Sequence, residues 1–265
     1  MRKCEKCGNE IDIKRGSGTR FCELCASKAN AIALASLGAV SLEKGEPDMT
    51  PMTFDDRYKT KILLVRHGES LGNAEHRFLG HTDLDLSERG YAQAERTAEF
   101  LRREAVDVIY ASPLIRAYNT AVPHARIRGM EIIKSDELKE INAGEWENKL
   151  VSELIEEYGE TFTVEWRQRF GSFAHLECGE SVAALGSRIY SEIERIAKEN
   201  VGKTVLIATH AAAIRSFWGK LCGMTADELS SACTFPYNAS VSVVYFDGER
   251  LVSGEYSHSR HLLDL

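Results

Sequence analysis

No stretch of this 265-residue chain is apolar for long enough to cross a bilayer, which takes about 20 such residues in a helix. The longest candidate, Ala29 to Val40, is short and interrupted by Ser36 and Gly38. The basic-then-apolar order of a secretory signal is missing from the N-terminus. An excess of positive charge is missing too: the formal net charge is -7, which disfavours nucleic acid and membrane surfaces as partners of the whole chain. These absences read as a soluble, cytoplasmic protein.

The chain is 43% hydrophobic, enough for one good-sized core and a small appendage. Four of its seven cysteines fall in the first 25 residues, as Cys4-x2-Cys7 and Cys22-x2-Cys25. Gly8 and Gly16-Ser17-Gly18 supply turns between them. So short a segment cannot bury a sufficient core and needs a staple. Four thiolates around a tetrahedral Zn²⁺ provide one; two disulfides or a redox pair are the competing reading, and the equal spacing of the two pairs favours zinc. The pattern resembles the zinc-ribbon family, which implies a closed, structural site on Cys4, Cys7, Cys22 and Cys25. Residues 1–30 carry seven Lys/Arg and four Asp/Glu, and a four-thiolate zinc centre removes about two of those three net charges. A protein partner therefore suits this unit better than nucleic acid. The other cysteines (Cys178, Cys222, Cys233) read as reduced, buried, small apolar residues. The chain divides into a ribbon-like unit over 1–28, a helical or flexible linker over 29–57 broken by Gly45, Pro47 and Pro51, and a large domain over 58–265.

In the large domain, strand-like runs near 61–65, 106–111, 131–134 and 204–208 alternate with helical patterns near 87–101, 113 onward, 149–158, 180–199 and 211–221. Alternation predicts an α/β fold, a three-layer α/β/α sandwich around a mostly parallel sheet. Runs at 240–246 and 250–256, joined by Asp247-Gly248, predict a closing hairpin. Ser112 and Pro113 read as the N-cap and first residue of the second helix. The strand at 61–65 runs into Arg66-His67-Gly68-Glu69, the strand at 204–208 into Thr209-His210, and the strand at 106–111 into Ser112 and then Arg116. Ligands in open α/β sheets bind at the carboxyl ends of strands. Two arginines and two histidines gathered there suit an anion, phosphate first.

At this point the residues resemble a known family. Leu64-Val65-Arg66-His67-Gly68-Glu69-Ser70 with Asn73, Gly80 and Asp83, then Ala111-Ser112-Pro113-Leu114-x-Arg116-Ala117, then Leu138-Lys139-Glu140-Ile141-x2-Gly144-x-Trp146-Glu147, then Gly179-Glu180-Ser181 and Thr209-His210 are similar to the successive blocks of the histidine phosphatase, or phosphoglycerate-mutase-like, superfamily. The resemblance spans residues 60 to about 246. It implies phosphoryl transfer to His67 as nucleophile, with Arg66, Arg116 and His210 binding the phosphoryl oxygens, Asn73 adding a neutral hydrogen bond, and Glu140 protonating the leaving oxygen and later activating water. No catalytic metal or other cofactor is implied. An imidazole is largely neutral at pH 7, as a nucleophile must be. One departure is His210-Ala211-Ala212, where the family usually places glycines; the Ala211 N–H can still serve a phosphate if its φ is negative.

Three readings stand. Glu140 and His210 are 70 residues apart (210 minus 140), without the long insertion that mutases of the family carry, so hydrolysis of a small phosphomonoester leads. Phosphoglycerate-mutase-type transfer is the alternative. A degenerate phosphatase fold, serving as a binding module recruited by the ribbon, is the reading from another class. The stretch 146–180, with Trp146, Phe162, Trp166, Phe170 and Phe173, reads as a cap or as core. The frame around Trp146 and Glu180 is similar to the alpha-ribazole and broad-specificity phosphatase branches alike, and oligomeric state is open.

Overall fold

The computed structural model describes residues 2–3, 10–11, 45–159, 179–225, 228–229 and 233–265. The four N-terminal cysteines, Cys178, His175 and the aromatic residues Phe162, Trp166, Phe170 and Phe173 lie outside the described residues.

Two short strands, β1 (Arg2–Lys3) and β2 (Glu10–Ile11), pair antiparallel as a separate two-stranded sheet. The main domain follows as β3 (Thr60–Arg66), α1 (Leu71–Ala74), α2 (Glu88–Phe100), β4 (Val108–Ala111), α3 (Ile115–Arg128), β5 (Ile132–Lys134), α4 (Val151–Tyr158), α5 (Val182–Glu199), β6 (Thr204–Thr209), α6 (Ala211–Leu221), β7 (Val241–Phe246) and β8 (Leu251–Ser253). The six-stranded sheet runs β5-β4-β6-β3-β7-β8. Strands β5, β4, β6 and β3 are parallel, and β7 and β8 run antiparallel at one side. The expected hairpin thus contributes β7, antiparallel to β3, and the edge strand β8, antiparallel to β7.

Strand alternation explains the layers. Ile62 and Leu64 of β3, with Val205 and Ile207 of β6, join a core with Leu154, Ile189, Ile193 and Phe217 of α4, α5 and α6. Leu63 and Val65, with Leu206 and Ala208, face Phe100, Ala121 and Ala125 of α2 and α3. Both faces are covered, as the near-continuous apolar reading of β3 and β6 requires, and the result is the expected three-layer sandwich. Among the described residues no helix is long and apolar enough to cross a membrane.

Three local expectations change. Helix α3 begins at Ile115 with Leu114 as N-cap and no side-chain cap; the Ser112 hydroxyl accepts the Leu114 N–H at 3.3 Å and bonds His210 Nε2 at 2.8 Å, and Asp83 Oδ1 accepts the Ile115 N–H at 2.7 Å. Residues 45–57 pack on the domain: Met52 joins the α2/α3 core, the Asp55 N–H donates to Tyr245 Oη at 2.9 Å, and the Asp48 N–H donates to the Arg260 carbonyl at 3.0 Å. Cys233 is buried as expected, whereas Cys222 is exposed.

Candidate active site

Three parallel strands deliver the site at one sheet edge. β3 ends at Arg66, and the next N–H, of His67, still donates to the Thr209 carbonyl at the end of β6, at 2.9 Å. That bond brings the two strand ends, and so His67 and His210, side by side: their rings meet edge-on with centroids 5.2 Å apart. Past His67 the loop presses on α2. A Cβ at Gly68 would sit 2.4 Å from the Gly90 carbonyl oxygen, and one at Gly90 would sit 1.9 Å from that of Glu69. Only glycine admits this approach. The Glu69 carboxylate closes the loop by accepting from Ser87 Oγ at 2.7 Å and Arg89 Nη1 at 2.8 Å.

A pocket of about 40 Å³ opens here, and Arg66, His67, Asn73, Arg116, Glu140 and Ala211 all line it. His67 Nδ1 lies 2.7 Å from the Gly68 carbonyl. A carbonyl only accepts, so Nδ1 carries the proton and Nε2 is left as the basic nitrogen. Burial, and then the charges of Arg116 and Arg66, hold the His67 pKa well below the ordinary imidazole value, so the ring is neutral. His210 is held down in the same way by burial, then by Arg116 and His67.

The two guanidiniums are 1% exposed. Burial pushes each down to about 10, and the Glu140 carboxylate partly offsets this in both. Arg116 donates to the Thr82 and Gly80 carbonyls at 2.8 and 2.7 Å, and its buried Nε has no acceptor among the described residues. Arg66 Nη1 donates to the Pro236 carbonyl at 2.6 Å. Buried cations resting on carbonyl dipoles call for an anion.

Asn73 is the third residue of the one-turn helix α1. Its Oδ1 accepts the Ser70 N–H and an N–H of Asn238 Nδ2, both at 3.2 Å, which assigns the amide and leaves Nδ2 as a donor. Glu140 reaches the start of α6, where Oε2 accepts from the Ala212 N–H and Oε1 from the Ala213 N–H, both at 3.1 Å; Oε1 also accepts the Ile141 N–H at 2.9 Å. Ala211, the first residue of the same helix, lines the pocket. Alanine in place of glycine therefore costs the site no backbone donor: it begins a helix, where the N–H groups and the dipole both favour an anion.

Every catalytic and phosphate-binding residue expected from sequence converges on this edge. Several neighbours were not read from sequence. Arg77, Phe78, Leu79 and Phe235 also line the pocket. Asn238 donates to the His67 carbonyl at 3.1 Å, and its position 171 residues along the chain leaves no local signal. His81 places Nε2 2.9 Å from the Glu140 carbonyl. Trp146 is buried against Phe78 at 5.9 Å and Tyr158 at 5.7 Å, so of the two readings of the aromatic stretch it takes the core one. Among the described residues no group of three or more His, Cys, Asp or Glu side chains gathers as a metal site.

Comparison with known proteins agrees with this geometry. The profile of the histidine phosphatase superfamily (branch 1) matches residues 62–257. Phosphoserine phosphatase 1 of Hydrogenobacter thermophilus is 37% identical over 206 residues, covering 76% of this chain and 94% of that protein. The metal-independent phosphoserine phosphatase of Arabidopsis thaliana is 34% identical over 208 residues, 77% of this chain and 83% of that one. The crystal structure of a phosphoserine phosphatase from Entamoeba histolytica in complex with 3-phosphoglyceric acid superposes with a TM-score of 0.66 at 26% identity, covering 77% of this chain and 99% of that one. The chain belongs to the histidine phosphatase superfamily, and it is a phosphomonoester hydrolase of the phosphohistidine type.

Proposed function

We propose that the chain hydrolyses small carboxylated phosphomonoesters, O-phosphoserine first, without a catalytic metal. The observation that carries the mechanism is the neutral His67 ring with Nδ1 committed to a carbonyl, in a pocket shared with two buried guanidiniums. Nε2 attacks phosphorus in line with the ester oxygen. Arg66, Arg116, the Asn73 amide, His210 and the Ala211 N–H hold the three equatorial oxygens while charge is redistributed over them. Glu140 gives a proton to the departing alkoxide and then takes one from the water that cleaves the phosphohistidine.

The substrate class follows from the relatives and from Arg77. This arginine lines the pocket, and among the described residues its side chain, 31% exposed, bonds Glu75 Oε2 at 2.6 Å and the Asn148 carbonyl at 2.7 Å. In this reading it binds the carboxylate of the substrate. A panel of O-phosphoserine, 3-phosphoglycerate, phosphoethanolamine and an aryl phosphate, with EDTA present, is the test. O-phosphoserine should lead, and Arg77→Ala should lower its kcat/KM about tenfold or more, the value of one charge-assisted hydrogen bond, while leaving phosphoethanolamine unchanged. Equal turnover of the carboxylated and uncarboxylated esters by the wild type would sink the substrate assignment. Loss with EDTA would sink metal independence.

We further propose the division into a ribbon over 1–28, a connection, and the catalytic domain, with a structural Zn²⁺ on Cys4, Cys7, Cys22 and Cys25 and a protein partner for the ribbon. Support comes from the equal spacing of the two pairs and from the antiparallel pairing of β1 with β2, in the register Arg2↔Ile11 and Lys3↔Glu10. Four thiolates match the tetrahedral preference of zinc. Elemental analysis of the purified chain should give one zinc per molecule, lost in Cys4→Ser. Deleting residues 1–44, which spares the packed segment from Gly45, should leave turnover of O-phosphoserine intact. A metal-free chain with paired disulfides would overturn the zinc assignment.

A further inference from the structure

The run Gly179-Glu180-Ser181 takes no part in the chemistry described so far. Ser181 Oγ caps α5 by accepting the Ala184 N–H at 3.1 Å, which leaves Glu180 just ahead of the helix and Arg188 two turns inside it. The two side chains, 17% and 19% exposed, form a bidentate pair: Arg188 Nε donates to Glu180 Oε1 at 2.9 Å and Nη2 to Oε2 at 2.7 Å. The remaining guanidinium N–H groups all go to one short segment. Nη1 donates to the Glu137 and Lys139 carbonyls at 2.7 and 3.1 Å, and Nη2 to the Glu140 carbonyl at 3.2 Å. Glu180 grips the same segment through its own backbone, its N–H donating to the Asn142 carbonyl at 2.8 Å.

An isolated surface ion pair contributes about 0–1 kcal/mol, and stability alone gives no reason for aiming every donor outside the pair at residues 137–142. That segment carries Glu140. Its carboxylate is fixed from one side by the Ala212 and Ala213 N–H groups, and its backbone from the other by Arg188. We infer that the Arg188–Glu180 pair sets the position of the general acid: both are positioning residues that hold Glu140 at the leaving oxygen, where a misplacement of about 1 Å can cost about a hundredfold in rate. The inference rests on Glu140 being the acid.

The leaving group separates positioning from mere structural support. An alkoxide leaving group needs Glu140's proton, whereas a nitrophenolate does not. The quantity to compare is kcat/KM, which reports only the steps through loss of the leaving group and omits hydrolysis of the phosphohistidine. Arg188→Met, which keeps the apolar stem, should lower kcat/KM for O-phosphoserine at least about tenfold and for nitrophenyl phosphate less than about threefold. In a Glu140→Gln background the same change should add nothing, because groups that act as a unit are not additive. Glu180→Gln should show the same signature at smaller size, and it serves as the second variant if Arg188→Met folds poorly. Equal losses on the two substrates, or losses that multiply in the double variant, would overturn the inference. If Glu140→Gln itself left O-phosphoserine turnover at the wild-type level, the acid assignment would fail first and the inference with it.

Discussion

Replacing His67 with alanine should abolish phosphate release from every phosphomonoester, with kcat reduced by on the order of 10⁴-fold or more, as is typical when a covalent nucleophile is removed. No other residue takes over, because the second imidazole at the site, His210, has its Nε2 in a hydrogen bond with Ser112 at 2.8 Å and meets the His67 ring edge-on. Phosphorus NMR of the wild type quenched in alkali should show an acid-labile phosphohistidine that His67→Ala lacks. Turnover by His67→Ala within tenfold of the wild type would end the covalent mechanism. The pH dependence has a definite sign. The folded His67 pKa is lowered by burial and by Arg116 and Arg66, so the ring stays neutral as pH falls below the ordinary imidazole value of about 6.5. kcat/KM for an aryl phosphate should therefore hold level from pH 7 to about 5.5. The fold pays for this on the acid side. His124 and His261 are pushed down to about 3, in each case mainly by burial, so below their unfolded values the unfolded chain takes up protons that the folded chain refuses. Their contribution is complete above the unfolded pKa and is lost as pH drops toward the folded one. Acid inactivation should thus track unfolding, seen by circular dichroism, and not titration of the nucleophile.

Arg66, His67, Arg116 and His210 are legible because each sits within a few positions of a strand end, whereas Asn73 and Glu140 are legible only through the resemblance to the family's blocks. An apolar run that stops at Arg66-His67 and another that stops at Thr209-His210 need only be neighbours in the sheet, and the parallel pairing of β3 with β6, with Arg66 opposite Thr209, makes them so. What holds those residues in place was not legible. Asn238 supports the His67 carbonyl from a loop after residue 232, and its partner lies at the far end of the domain sequence. Ser112 and Pro113 have the composition of a helix start, yet the Ser112 hydroxyl is shared between the Leu114 N–H and His210 Nε2, and the helix begins later with Asp83 at its end. Gly45, Pro47 and Pro51 have the composition of a free linker, but composition carries no information about Met52 and Tyr58, which find their places against Tyr245 and the α2/α3 core. In each case a tertiary contact decided between locally equal options.

Glu140→Gln should divide the reaction in two. With O-phosphoserine the first step needs a proton on the departing alkoxide, and the rate of that step should fall by about 10² to 10⁴, the usual span for a general acid. With nitrophenyl phosphate the first step needs no proton, so His67 should still be phosphorylated quickly. The second step then lacks the base that activates water, and phosphohistidine should accumulate. Stopped-flow absorbance should show a burst of nitrophenolate equal to the enzyme concentration, followed by a slow steady state, where the wild type shows none. The geometry also predicts a stability cost to be separated from this. Oε1 accepts the Ile141 and Ala213 N–H groups and Oε2 the Ala212 N–H. A glutamine amide can replace only one of those oxygens, and its NH₂ then faces a backbone N–H at the start of α6. One unsatisfied buried donor costs about 1–3 kcal/mol, so the melting temperature should drop by a few degrees, at about 2–4 °C per kcal/mol for a domain of this size. Burst kinetics measured well below that temperature are unaffected by it. Equal loss on both substrates, with no burst and no accumulated phosphoenzyme, would assign the Glu140 carboxylate to holding the start of α6 and remove it from the chemistry.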